Sequence, residues 1–202
     1  MREKPVIVAA LAVAVSIASA AHHAQAAQPA EQRTAPGPRT AGDVYPEFAV
    51  GLLKNATLAQ LDPSILATVN GVNLTREFLE AKIASARQDQ RPFLEKTRYR
   101  LLSELVVRQV LLEDARRQNL AKDGADEEAE NAAIRKLIDR IIADVKVSDE
   151  EIAKTYTDHQ DELGGASLDA VKDRIRDYLM NLKRREAVMR RIDELGNTSR
   201  IA

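Results

Sequence analysis

A mainly helical bundle, with a small β-hairpin near its start and a long helix closing it at the C-terminal end, is the fold the sequence predicts. Three observations carry that prediction. Aromatic residues are 3% of the chain against 45% hydrophobic overall, and tryptophan is absent, so the core must be Leu, Ile, Val and Ala on helices. Apolar residues recur at helical spacing in two long stretches, 134–145 and 168–189. Asn70-Gly71 lies between Val69 and Val72, a pairing that suits a type I′ hairpin turn because both central residues need positive φ.

The elements follow in chain order. Residues 1–26, with a short charged start and an apolar run from residue 5 to 20, read as a signal peptide; the run is short for a membrane span. Small-x-small sites end at Ala20 and Ala26, and cleavage after Ala26 is favoured; retention as an N-terminal anchor is the alternative. Residues 27–62 read as a linker. Its first part, to residue 46, is rich in Ala, Pro, Gly, Gln and Thr and reads as a flexible tether. The remainder carries Phe48, Val50, Leu52, Leu53, Leu58 and Leu61 and suggests a short, loose helix interrupted near Gly51.

The folded domain is expected over 63–202. Ile65, Ala67 and Val69 alternate before the Asn-Gly turn, and Val72 and Leu74 follow it. Such a hairpin is marginal alone and should borrow a further strand or pack on a helix; Thr198-Ser199-Arg200-Ile201 is β-compatible and able to pair with it. Thr75 caps a short helix to about residue 86. A single rod of about 40 Å is expected over 92–120, with Pro92 in its first turn. It is apolar nearly all round through 101–112, which places it centrally. One of its stripes, Phe93, Val107 and Leu111, is either core, the favoured reading, or part of an open binding surface.

Over 126–144 the periodicity is cleanest, with Ile134, Leu137, Ile138, Ile141, Ile142 and Val145 on one face. Burying these six contributes on the order of 10 kcal/mol before entropy is subtracted. Ser148 and Glu151 form a capping box for the next helix, which ends at Gly164-Gly165. Ser167 caps the last helix, where Leu168, Val171, Ile175, Tyr178, Leu179, Leu182 and Met189 form one stripe and Gly196 is the expected terminator. Met180 points off that stripe and should be exposed, whereas Met189 should be core. Glu186 falls inside the stripe and is expected at its edge, beside an arginine.

The chemistry available is narrow. With 30 basic against 31 acidic residues, net charge −1, there is no excess of cations to displace counterions from nucleic acid. The basic cluster Lys183-Arg184-Arg185 with Arg190-Arg191 therefore reads as a solvated face. Cysteine is absent and His159 is the one histidine beyond residue 26, so zinc sites and nucleophile-histidine pairs lack their residues. No GxxxxGK or GxGxxG motif is present. Neither a catalytic constellation nor a cofactor or metal is expected.

"ILATVNGVNLTREFLEAKI", then "LLSELVVRQVLLEDARRQNL", then "VSDEEIAKTYTDHQDEL", and finally "SLDAVKDRIRDYLMNLKRREAVMRRIDEL" occur in this order. Together they resemble the chaperone domain of SurA- and PrsA-type exported foldases, over about residues 63–201. In that family a parvulin prolyl-isomerase domain typically stands between the last two segments; here Gly164-Gly165-Ala166 takes its place. No residue matches a parvulin active site, so isomerisation is not carried over. The resemblance implies a SurA N-terminal-domain-like fold and an ATP-independent periplasmic holdase for unfolded exported or outer-membrane polypeptides. No nucleic-acid partner and no stable membrane insertion after signal cleavage are expected; the oligomeric state is open. Client contacts are expected at Phe93, Val107, Leu111 and Met180. The alternative is a structural or adaptor module serving one fixed partner in an envelope assembly.

Overall fold

The computed structural model describes residues 39–202, so the expectations for a signal peptide and for residues 27–38 of the linker lie outside the described residues. In chain order the elements are α1 (Ala41–Val44), a 3-10 turn (Gly51–Asn55), β1 (Ile65–Val69), β2 (Val72–Thr75), α2 (Arg76–Ser85) and α3 (Arg91–Lys96). They are followed by α4 (Arg98–Arg117), α5 (Glu127–Ile142), α6 (Asp149–Asp158), a 3-10 turn (Gln160–Leu163) and α7 (Leu168–Thr198). The chain is mainly helical with one small antiparallel sheet.

Asn70 and Gly71 take φ of 50° and 90°, which closes the hairpin with Val69 opposite Val72. Ala67, Val69 and Leu74 face inward, while Val72 at the turn is exposed. The hairpin does borrow a strand, and it is the C-terminal one. Val69 bridges Ile201, Thr68 and Ala202 exchange both backbone bonds at 2.7 and 3.1 Å, and Thr57 N donates to Ile201 O at 2.8 Å. Asn70 has a second task besides the turn. Its Oδ1 accepts from Arg200 N at 2.7 Å, and its Nδ2 donates to Glu113 at 2.5 Å, tying turn, C-terminal strand and α4 together.

The single rod over 92–120 is corrected: α3 ends and α4 begins at Thr97. Thr97 leaves helical geometry (φ −119°, ψ 35°), and both its hydroxyl, at 2.8 Å, and its N–H, at 3.0 Å, donate back to Phe93 O. Past the break α4 is the centre of the molecule, with Leu105, Val106, Val110, Leu111, Leu112 and Ala115 buried. Two residues past its end, Asn119 takes a φ of 58°, which allows Leu120 N to reach Ala115 O at 2.8 Å.

α5 starts as expected, Asp126 accepting from Ala129 N at 2.8 Å. Its apolar face is wider than the surface α4 and α7 offer. Leu137 is fully buried and Ile134 and Ile141 lie against the core, but Ile138, Ile142 and Val145 are half-buried, so the energy expected from all six is only partly realised.

The capping box at α6 is present, Ser148 N to Glu151 at 2.9 Å and Glu151 N to Ser148 Oγ at 3.2 Å. Gly164 and Gly165 have φ of 60° and 79°, a left-handed turn that reverses the chain without a strained Cβ. Beyond it Ile152, Val171 and Ile175 make a small second core, separate from the main one, edged by Tyr156, Leu163 and Leu179.

The 31 residues of α7 span about 45 Å and serve both cores, but with different faces. At about 100° per residue, Val171, Ile175 and Leu179 share one side, while Ile192 and Leu195, which pack on the main core, lie roughly 140° round from it. The expected single stripe is therefore two. Met189 and Glu186, on the extension of the first side beyond its partner α6, are exposed. Tyr178 is 61% exposed, and Met180, expected outside, is half-buried. Gly196 does not end the helix, which runs on to Thr198.

Surface ion pairs fasten α6 to α7. A hydrogen bond from Lys172 holds the Asp149 carboxyl below its usual value, and one from Lys183 does the same for Glu151. With folded pKa values below the unfolded ones, this contribution is complete above the usual carboxylate range of about 4–4.5 and is lost as pH falls through the lowered values. Urea denaturation followed by circular dichroism across pH should show wild-type stability falling through this range and converging, at low pH, on that of a chain carrying Asp149→Asn and Glu151→Gln, whose stability varies less with pH. Identical pH dependence in the two chains would assign the acid sensitivity elsewhere.

Candidate binding groove

The compact body was expected from residue 63, yet the packing reaches back to Thr40. Thr40 and Asp43 form a capping box, Thr40 N to Asp43 at 2.9 Å and Asp43 N to Thr40 Oγ1 at 3.2 Å, which starts α1. Thr40 bridges Thr57, and Ser103 of α4 donates to Val50 O at 3.0 Å. Leu52 and Ala56 are each 4% exposed and belong to the main core. The described part of the linker is thus a wall, tied at both ends by backbone bonds and pinned in the middle by Leu52.

Between this wall and β1 with α4 lies an open groove of about 360 Å³. Tyr45, Phe48, Leu53, Leu58 and Leu61 line it from the linker side, and Leu66, Tyr99 and Leu102 from the other. Phe48 meets Tyr99 edge to face, ring centroids 5.6 Å apart at 85°, the arrangement that ring quadrupoles favour. Tyr45, Phe48 and Leu58 remain 55, 57 and 43% exposed. The far wall is set by a turn in which Asp62 accepts from Ser64 N at 2.8 Å and Ser64 Oγ at 2.6 Å. The hydroxyl bond, then the amide bond, lowers the Asp62 pKa and keeps the turn charged.

No Asp, Glu, Lys, Arg or His lines the groove. Its threonine and tyrosine hydroxyls are its only polar side-chain groups. What it can do is remove apolar side chains from water. The chain has three Phe and four Tyr, and three of these seven aromatics stand in this groove, so the scarce large apolar surface is concentrated here. Among the described residues no group of three His, Asp or Glu is placed to hold a metal ion, and no helix is long and apolar enough to cross a membrane.

The four residues expected to contact a client do not share a surface. Phe93 is 59% exposed on α3; Val107 is half-buried against the main core; Leu111 is inside it at 6%; and Met180 is half-buried on α7. Leu111 is core, as the favoured reading of its stripe has it and against the client contact expected of it, since α4 is covered on that side by its neighbours. Val107, packed against the same core, offers little more. The groove is lined instead by residues outside that set, among them Tyr45, Phe48, Leu58 and Leu61. The sequence signal for them is two aromatics close together, Tyr45 at the end of the tether-like stretch and Phe48 just beyond it.

No protein-family model matches the chain, and no curated protein or solved structure matches it.

Proposed function

We propose that this protein is an ATP-independent holdase of the SurA/PrsA type, reduced to the chaperone body, which shields apolar segments of unfolded exported polypeptides in the periplasm. The observation that carries the proposal is the aromatic groove, lined by no charged side chain and exposed on a molecule in which 30% of residues are charged. An apolar patch left open, rimmed by polar surface, marks a site of contact with other chains. The order of sequence segments supports the family reading, as does the return of α7 to the main core beyond the diglycine turn. A body whose two halves meet across so short a connection has no need of an inserted isomerase domain, and prolyl isomerisation is no part of the proposed activity. Release of clients then follows from weak, reversible burial of a few side chains at a time.

Light scattering from an unfolded test protein, chemically denatured citrate synthase, provides the test. Wild-type chain should suppress its aggregation in proportion to concentration. Joint substitution Tyr45→Ser and Phe48→Ser should require about tenfold more protein for the same suppression, the loss of part of two aromatic contacts, while the helical circular dichroism is kept. Equal suppression by wild type and variant would remove the groove from the mechanism. If the wild type does not suppress aggregation and recovers a single stoichiometric partner, the adaptor reading takes its place.

A further inference from the structure

The small core between α6 and α7 has one open side. There Thr155, His159 and Glu162 face Val171, Arg174, Ile175 and Tyr178 across a cleft of about 340 Å³. Two helices and three buried side chains, Ile152, Val171 and Ile175, make a layer with room for further helices on its open face. Tyr178 stands at the rim, 61% exposed. The charges there are unequally matched. Lys172 and Arg176 pair with Asp149 and Asp173, whereas Arg174, exposed beside the cleft, makes no ion pair among the described residues. Glu162 meets only His159, at 3.2 Å, and its side chain is 77% exposed.

We propose that this cleft is a self-association surface, in which the α6–α7 hairpins of two copies pack across a twofold axis as a four-helix layer. A twofold contact needs a patch complementary to itself, and this one has the required parts on a single rim: a projecting ring and an apolar cleft to receive one, an unpaired cation and an exposed carboxylate. Tyr178 of each copy enters the cleft of the other over Val171 and Ile175, and Arg174 of each meets Glu162 of the second copy. The arrangement buries the open side of the minor core in the way helical hairpins complete one another in bundles. The groove at Tyr45 and Phe48 takes no part, so the proposal stands or falls separately from the holdase reading.

Sedimentation velocity of the full chain over a range of concentrations tests it. The wild type should reach twice the chain mass. Arg174→Glu and Glu162→Arg should each weaken association by about tenfold or more, since each sets like charges face to face, and the two together should restore it. Tyr178→Ser should weaken association too. All four variants change exposed side chains, and unchanged circular dichroism establishes that they fold. Three results overturn the proposal: a monomer at every concentration, association that none of these variants alters, or single reversals that weaken it without rescue by the double reversal.

Discussion

Arg191→Ala should lower the unfolding free energy by about 3 kcal/mol, measured by urea denaturation followed by circular dichroism. Asp114 of α4 is 3% exposed, and Arg191 of α7 meets it through Nη2 at 2.9 Å to both oxygens and Nε at 3.2 Å to one. The pairing, through its hydrogen bonds first, raises the Arg191 pKa further above neutrality. When Arg191 is removed, the carboxylate keeps Gln118 at 3.1 Å and a distant Arg117 at 3.6 Å. A buried charge left so poorly matched is the costly case. The magnitude sits at the lower end of that class because the Arg191 side chain is 35% exposed and its loss admits water. Asp114→Ala should cost less, since the freed guanidinium reaches solvent. Asp114→Leu with Arg191→Met should recover most of the loss, because a packed apolar pair avoids desolvating two charges. A change within about 0.5 kcal/mol for Arg191→Ala, the range of ordinary surface substitutions, would show that the pair does not hold α7 to α4.

That pair is also an example of what the sequence could not display. Asp114 and Arg191 are 77 positions apart, and each looks like an ordinary charge on a charged helix. The legible features are those a few residues decide among themselves. Thr75 accepts from Phe78 N, Asp126 from Ala129 N and Ser148 from Glu151 N, each across three positions, and the Asn-Gly turn needs only its own two residues. Periodicity located α4, α5 and α7 because a buried face leaves a regular trace. It failed where the burying partner changes along one helix. In α7 the first side is covered by α6 and the second by the main core, and the sum resembles one broad stripe. Glu186 was the warning. A carboxylate inside an apolar stripe marks the place where the partner ends, and Glu186 is exposed there. The groove was hidden for the same reason as the ion pair: the wall at 40–61 has little periodicity of its own and is held by Ser103, Ile201 and Gly196, all far along the chain.

Gly196→Ala should destabilise the fold by about 2 kcal/mol, although glycine inside a helix ordinarily costs about 1 kcal/mol relative to alanine. The sign is what matters. Gly196 lies within α7 without left-handed geometry, so helix propensity alone favours the substitution. Opposing it, a Cβ here would stand 2.3 Å from Leu52 Cδ2 and 3.3 Å from Cγ. Leu52 is 4% exposed and has little space to retreat, so the methyl group must displace either the leucine or the helix end. Leu52→Ala alone leaves a cavity and should cost about 2–4 kcal/mol. Combined with Gly196→Ala it should cost clearly less than the sum, as expected when two residues share one contact. Since Leu52 pins the wall that carries Tyr45 and Phe48, Gly196→Ala should also weaken aggregation suppression under conditions where the chain is still folded. A stabilising Gly196→Ala would mean that Leu52 moves aside freely and that the wall is held by its backbone bonds alone.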